Sequence, residues 1–379
     1  MPNLSIWETE SFYAPQDLII VGAGLLGLWT ALSVKEKKPG TRITLVDRNP
    51  APLGASSRNA GFACFGSPTE LLHDAALLGT DDMLTVAEMR YKGLEKIRQN
   101  FTDSQINWDP CGGYEAINRD YSHWDVLPDK IQWLNQQLSA ITRKKETFQE
   151  AGNYLKTSGL QYFDTLISNT LEAGLHSGKL LQALIQKVQA AGITLLSGIA
   201  IRGWDKKAAM IQLQTDSHIR LQAQQVLFTV NAFTQELLPA LQITPARGQI
   251  LVTTPIHNLP MKGTFHFDEG FYYWRNLNNR ILIGGARNQA FEAEATSELA
   301  CTDTIKEALI RFLKEHISPA YSYEIDYHWT GIMGFTPDKK PLVRKVSDGI
   351  FAAIACNGMG VALSPMVAEN AADMLIAHF

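Results

Sequence analysis

The sequence predicts an α/β chain (α+β overall), with a Rossmann-type parallel domain into which a mostly antiparallel β-sheet domain is inserted. Three observations carry this. A glycine-rich turn, Gly22 to Gly27, lies between a β-rich run and a helical run. The following β-rich run ends on an acid, Asp47. Segments of the same strand-helix character return in mid-chain and at the C-terminus, separated by stretches dense in short strands. With 379 residues the chain is too long for one compact core, so two domains are expected.

The elements follow in order. DLIIV (17–21) is a short β-rich run, the stretch from Leu26 to Lys38 is helical, Pro39-Gly40 breaks it, and RITLVD (42–47) is the second strand. The apolar run from Leu18 to Val34 carries three glycines and is short for a membrane span, so it reads as a buried strand turning into a helix. A Gly/Ser/Asn-rich loop follows, Leu53 to Gly66. From Thr69 to Phe101, Met83, Val86, Ala87, Arg90, Leu94 and Ile97 recur at helical spacing. GGYEAI (112–117) predicts a strand, and residues 129–150 an amphipathic helix with Ile131, Leu134, Leu138 and Ile141 on one face.

A helix over 179–191 precedes strands at 193–198 and 199–205, a hairpin of IQLQT (211–215) with HIRLQA (218–223), and a separate buried strand at 226–232. Short strands fill 249–254, 263–267, 271–275 and 280–286. A helix covers Thr302 to His316, and the tail is a strand (349–355), a glycine turn and a helix from Val361 to Ala377.

Composition excludes several classes. The chain is 45% hydrophobic and 19% charged with net charge −4, which fits a globular protein and recommends neither nucleic acid nor a membrane as partner. Cys64, Cys111, Cys301 and Cys356 lack CxxC spacing, so free, mostly buried thiols and no zinc site are expected. The isolated His176, His266 and His328 suggest no metal. MPNLSIWETESFYAPQ lacks the basic and apolar regions of a signal peptide, and the expected location is the cytoplasm.

Gly22-Ala23-Gly24-Leu25-Leu26-Gly27 is a GxGxxG turn. Gly22 permits the tight bend, Gly24 lets the backbone approach a pyrophosphate, and Gly27 lets helix and strand pack closely. The helix start offers free amides and partial positive charge to phosphates. Asp47, 20 residues after Gly27 and followed by Arg48, stands where a carboxylate would meet ribose hydroxyls. This fingerprint leaves NAD and FAD both open.

Three further segments carry a resemblance. Pro52 to Phe62 (PLGASSRNAGF) offers Ala55, Ser56, Ser57, Arg58, Asn59, Ala60 and Gly61 in a flexible polar loop. GLHSGKLLQAL (174–184), VLFTVNAFTQELLP (226–239) and PARGQI (245–250) occupy the middle. TGIMGFTPDKKPLV (330–343) and CNGMGVALSP (356–365) close the chain. From Leu18 onward the sequence resembles the D-amino-acid oxidase superfamily of FAD-dependent oxidoreductases, which includes glycine, sarcosine and gamma-glutamylputrescine oxidases.

The resemblance implies FAD held by the glycine turn, Asp47, Arg48, the 55–61 loop, Ile201, Asn231, Ala232, Gly331, and the turn Asn357, Gly358, Met359, Gly360 and Val361. Relatives that bind flavin covalently have histidine at the Arg58 position or cysteine at the Gly331 position. Neither is present, so non-covalent FAD is expected, with Cys64 the nearby residue to check. A helix starting near Gly360 would aim its N-terminal dipole at the charge that develops on a reduced flavin.

EGFYYWRNLNNRILIGGAR (269–287) resembles the family's substrate-facing strand pair. Alternation puts Phe271, Tyr273 and Arg275 on one face and Tyr272 and Trp274 on the other, and leaves open which face lines a pocket. Tyr273 or Tyr272 would hydrogen-bond a substrate carboxylate, and Arg275 would pair with it. Two departures stand out. Trp329-Thr330-Gly331 lacks the arginine that glycine-oxidase relatives have nearby. Leu282 stands where sarcosine oxidase has an oxygen-activating lysine.

The resemblance therefore implies oxidation of a small amine or amino acid at the C–H next to nitrogen (a CH–NH or CH–NH2 donor), with O2 or another electron acceptor. An FAD-dependent 2-hydroxy-acid dehydrogenase, an NAD(P) enzyme and a catalytically silent flavin-binding protein are the alternatives. The expected organisation is a discontinuous FAD-binding domain (14–105, 160–240, 328–379) and a substrate domain (106–159, 241–327).

Overall fold

The computed structural model describes residues 4–217, 219–317, 321–354 and 356–379. His218 and Ala355, which belong to two expected strands, and the first three residues of the N-terminal reading lie outside them. The chain divides into two compact units.

The first unit holds residues up to Ser57, Gly178–Ala246 and Met333–Phe379. The central strands of its sheet, Ile350–Ile354, Arg220–Phe228, Gln16–Val21, Ile43–Asp47 and Thr194–Ser197, run parallel. Leu342–Ser347 pairs antiparallel with Ile350–Ile354 at one edge. Met210–Thr215 and Ile201–Lys207 extend the sheet from Arg220–Phe228 as an antiparallel hairpin. The expected hairpin is present over the described residues, Ile211–Gln214 pairing with Arg220–Ala223. The strand expected separately at 226–232 is instead the continuation of its second arm, because nothing in LQAQQVLF breaks the chain. That strand ends at Phe228, and Asn231–Glu236 forms a 3-10 turn.

The helix Leu25–Lys37 explains the apolar run. Leu25 and every residue from Gly27 to Val34 are buried, leaving no polar face until Lys35 and Lys37. It packs against the closing helix Gly360–Ile376, itself rich in small residues. Among the described residues no helix is long and apolar enough to cross a membrane.

The second unit holds Arg58–Ser177 and Arg247–Ile332. Its sheet runs Ile325–Phe335, Thr244–Thr253, Arg280–Gly285, Tyr272–Leu277, Thr264–Phe267, Gly113–Ile117, Thr165–Asn169 and Gln149–Glu150. Thr264–Phe267 runs parallel to Gly113–Ile117, whereas Arg280–Gly285 pairs antiparallel with Thr244–Thr253 and Tyr272–Leu277, Tyr272–Leu277 with Thr264–Phe267, and Thr165–Asn169 with Gly113–Ile117 and Gln149–Glu150. One face buries Phe265, Trp274, Ile281, Ile283, Leu251 and Leu166 under the helix Asp303–Phe312. Phe265 and Trp274 stack 5.3 Å apart, and Tyr272 stacks on Phe312 at 4.4 Å. Such pairs contribute about 0.5–1.5 kcal/mol each beyond area burial.

Residues 58–105 and 160–177, expected with the cofactor domain, group with this second unit. Leu71, Met83 and Ala87 pack with Ile117, Leu134 and Ile167 in one cluster. Two further expectations shift locally. The 69–101 helix is two, Pro68–Leu78 and Thr80–Asn100, broken at Gly79 with φ 88°. The 129–150 helix is Leu127–Thr142, ended by Arg143 in the left-handed region. All four cysteines are free; Cys64 is buried, Cys301 exposed, and the other two lie between.

Candidate active site

In the first unit the glycine turn is built by exclusion. Gly22, with φ 109°, donates its amide to the Val46 carbonyl at 2.8 Å. A Cβ on Gly22 would meet the Thr229 carbonyl oxygen at 2.9 Å, and one on Gly27 would collide with the Gly22 carbonyl. Thr229, which no motif marks, locks the turn: its hydroxyl donates to the Gly22 carbonyl at 2.8 Å, and its amide to the Val21 carbonyl at 2.8 Å. Gly24 caps the helix without a side chain, so orphan amides of the first turn remain for a ligand oxygen. One of them, Leu25 N, donates to Ser56 Oγ at 2.9 Å, while Leu26 is half-buried beside it. Asp47 accepts from Ala23 N and Asn49 N at 3.0 Å each, which fixes its carboxylate at the turn.

Of the other expected cofactor residues of this unit, Arg48, Asn231 and Asn357 follow the C-terminal ends of parallel strands. Ile201 packs against the core cluster that includes Val46 and Ile199, and Arg48 lies 4.0 Å over the Phe233 ring. Ala55 and Ser56 begin a one-turn helix, and Ser57 Oγ donates to the Pro52 carbonyl at 2.7 Å. Asn231 adopts φ 51°, and a Cβ on Gly334 would meet its Oδ1 at 2.6 Å and Ala232 N at 3.2 Å. Asn357 (φ 47°) and Gly358 (φ 84°) form the turn into the closing helix, with Met359 as N-cap, Gly360 first and Val361 buried. Asn357 Oδ1 accepts from Thr336 N at 3.0 Å, tying this turn to the Thr336-Pro337-Asp338 loop.

In the second unit Arg58 Nη1 donates to the Thr330 carbonyl at 2.8 Å, and Trp329 Nε1 donates to the Arg58 carbonyl at 3.0 Å. These two bonds hold the loop to the strand that bears the buried Gly331. Asn59 Oδ1 accepts from Gly61 N at 2.9 Å and from Ser177 Oγ at 2.6 Å. Arg275 is 4% exposed, and its Nη1 donates to the Gly61 carbonyl at 2.6 Å and the Leu175 carbonyl at 3.1 Å. A Cβ on Gly174 would collide with its guanidinium. This geometry makes Arg275 a backbone clamp, whereas the sequence reading pairs it with a substrate carboxylate.

Tyr272 and Tyr273 separate as alternation requires. Tyr272 belongs to the aromatic core with Trp274 and Phe312. Tyr273 faces the other way, next to Ile250, Val252, Leu282, Ala60 and Trp329. Phe271 departs from the expected alternation: the strand begins at Tyr272, and Phe271 packs against the Tyr272 side and edge-on to Phe291 at 5.5 Å. Tyr273 lies over Gly284, its cross-strand partner, whose missing Cβ leaves room for the ring. Burial pushes its phenol up to about 12.

The family model described as DAO: FAD dependent oxidoreductase matches residues 17–374. The chain belongs to this FAD-dependent oxidoreductase family. A probable oxidoreductase, OrdL, of Haemophilus influenzae is 22% identical over 95% of this chain and 83% of its own length. The bifunctional protein ThiO/ThiG of Synechocystis is 21% identical over 95% of this chain; the chain spans about half of that relative (51%). Among solved structures, L-proline dehydrogenase from P. horikoshii superposes with TM-score 0.76 at 14% identity, covering 96% of this chain and 94% of that one. Glycine oxidase from Geobacillus kaustophilus gives 0.73 at 19%, covering 96% and 95%. At these identities the likeness shows the DAO-like fold.

The residues present fit the family's cofactor. The Gly22, Gly24 and Gly27 cradle has no space for side chains, its helix start lacks a side-chain cap, and Asp47 stands at the turn. Thr229, Trp329, Phe62 and His266 received no individual role from the sequence in this DAO-family protein; Thr229 lies just beyond a strand end, the one signal available for it.

Proposed function

We propose that this chain uses non-covalent FAD to oxidise a small amine or amino acid, its first unit holding the dinucleotide and its second the substrate. The observation that carries the reading is Tyr273: a half-buried phenol beside an apolar patch of Ala60, Ile250, Val252, Leu282 and Trp329. Its raised pKa keeps the proton on Oη, so it offers a neutral hydrogen-bond donor to a substrate. Structural neighbours named as glycine oxidase, L-proline dehydrogenase, L-amino acid deaminase and iminodiacetate oxidase support the substrate class.

Bound FAD would supply the hydride acceptor for the C–H next to nitrogen, and the imine product would be hydrolysed by water. The chain's own residues bind and orient. The first-turn amides of Leu26 and Gly27 would hold the diphosphate, and Asp47 the ribose. The amides that begin the Gly360–Ile376 helix would favour negative charge at the ring system. Leu282, Trp329 and Phe62 exclude water. A substrate that binds as the neutral amine needs no base from the protein.

The non-covalent mode rests on three residues. Arg58 is engaged with the Thr330 carbonyl, Gly331 has no nucleophile, and Cys64 is buried with its thiol pushed well up by desolvation and then by Glu172. The test is turnover of amino acids and secondary amines, read as release of ammonia or amine together with a carbonyl product. Turnover of 2-hydroxy acids alone would reject the amine class.

A further inference from the structure

Tyr273 has a neighbour that no sequence motif marks. His266 lies directly opposite it in the antiparallel pairing of Thr264–Phe267 with Tyr272–Leu277. Residues so opposed point from the same face with Cβ atoms about 5 Å apart. The Phe62 ring meets both edge-on, at 5.2 Å from the imidazole and 5.9 Å from the phenol. His266 is 7% exposed, and its Nε2 has no hydrogen-bond partner among the described residues.

The neighbouring polar groups are already engaged. Glu115 is level with His266 on the adjoining parallel strand, but it accepts from Ser67 Oγ at 3.1 Å, from Thr69 N at 2.8 Å and from the Thr69 hydroxyl. Glu70, the charge that His266 senses, pairs with Arg90 at 2.9 Å. Arg275 is committed to two backbone carbonyls. Opposite Tyr273 on the other side stands Gly284. A buried ring nitrogen left unpaired costs about 1–3 kcal/mol, and folded proteins rarely leave one so.

Resting on the reading of the Tyr273 wall as the substrate side, we propose that His266 is a second substrate-contacting residue. Its Nε2–H and the Tyr273 hydroxyl form a two-point, uncharged clamp on a carboxylate, one donor to each oxygen. The substrate class is then an amine bearing a carboxylate. Burial supports this chemistry, holding the imidazole neutral with a pKa down to about 4 and the phenol protonated. The clamp also accounts for a carboxylate site without the arginine absent from Trp329–Gly331.

Acetate is the probe, titrated into the FAD-loaded protein and followed by the flavin difference spectrum; methylammonium is the control. Acetate is expected to bind the wild type. His266→Phe and Tyr273→Phe each weaken it about tenfold or more, one charge-assisted hydrogen bond. His266→Gln, which keeps an N–H donor, stays within a few-fold. With a turned-over substrate, His266→Phe raises KM and leaves kcat within a few-fold. No acetate binding to the wild type, equal binding by the Phe variants, or methylammonium binding in place of acetate overturns the clamp. Should His266→Phe fail to fold, the Gln and Tyr273→Phe variants still decide. The titration needs no turnover, so the clamp is judged even where every amine fails as a substrate.

Discussion

Arg275 Nη1 donates to the Gly61 carbonyl at 2.6 Å, so a strand in the middle of one sheet fixes the end of the 55–61 loop. The same nitrogen reaches the Leu175 carbonyl at 3.1 Å. Removing the guanidinium takes the side-chain donor from the Leu175 carbonyl, at about 1–3 kcal/mol, while the Gly61 carbonyl keeps the Leu175 amide at 2.8 Å. Arg275→Met is therefore expected to lower Tm and FAD retention, with KM for substrate little changed in the protein that remains loaded. Arg275→Lys, a point donor without the planar fork, recovers part of the loss. Thermal melts and flavin content per chain check this; an intact Tm with a large rise in KM would return Arg275 to the substrate.

Gly284 is the floor under Tyr273. A Cβ there would lie inside the phenol ring's contact distance, 2.6 Å from Oη. Gly284→Ala is expected to displace the ring and raise KM about tenfold or more, since small misplacements of an orienting group are costly. Steady-state kinetics of the flavin-loaded variant measure it, and unchanged KM would remove Tyr273 from substrate binding.

Leu282, an apolar side chain where the sequence resemblance would put a lysine, is buried with Ile250 and Val252. The photoreduced protein is expected to reoxidise slowly in air. Leu282→Lys should speed reoxidation by about tenfold or more, because a fixed cation stabilises negative charge developing on oxygen. Stopped-flow mixing with O2 reads both, and a fast wild type would show that another group activates oxygen.

Glu115 ties the start of the Pro68–Leu78 helix to the second sheet. Burial raises its pKa from 4.5 to about 7, against the opposing effect of its bonds from Thr69 and Ser67. A folded-state pKa above the unfolded value gives stability that is complete below pH 4.5 and is lost as pH rises through 7. The stability difference between wild type and Glu115→Gln is expected to shrink by on the order of 2–3 kcal/mol across that window. Groups that do not sense Glu115 cancel in the difference; Glu172 and Tyr121, which do, are pushed up to about 8 and about 12, above this window. Denaturant titrations at several pH values test this, and a pH-independent difference would contradict it.

Much of the first unit was legible because its chemistry is local. Gly22, Gly24, Gly27 and Asp47 lie within one strand-helix-strand unit, and their spacing states their jobs. Thr229 closes the same turn from two hundred residues away, and a threonine after a strand carries no distinctive signal. In the second unit, period-two alternation separated Tyr272 from Tyr273. It could not say that the Gly61 carbonyl arrives at Arg275, nor that His266 is the residue facing Tyr273, because register and long-range approach are tertiary facts. The partners of the loop 58–61, Leu175, Ser177 and Thr330, were out of reach for the same reason, being distant in sequence.

The proposed chemistry is tested most directly by anaerobic mixing of the FAD-loaded protein with matched pairs, each an amino acid and the 2-hydroxy acid of identical carbon skeleton. The account predicts that amino or imino acids bleach the flavin and that their hydroxy counterparts bind without bleaching it. Bleaching by the hydroxy acids while the amines leave the flavin oxidised would contradict it.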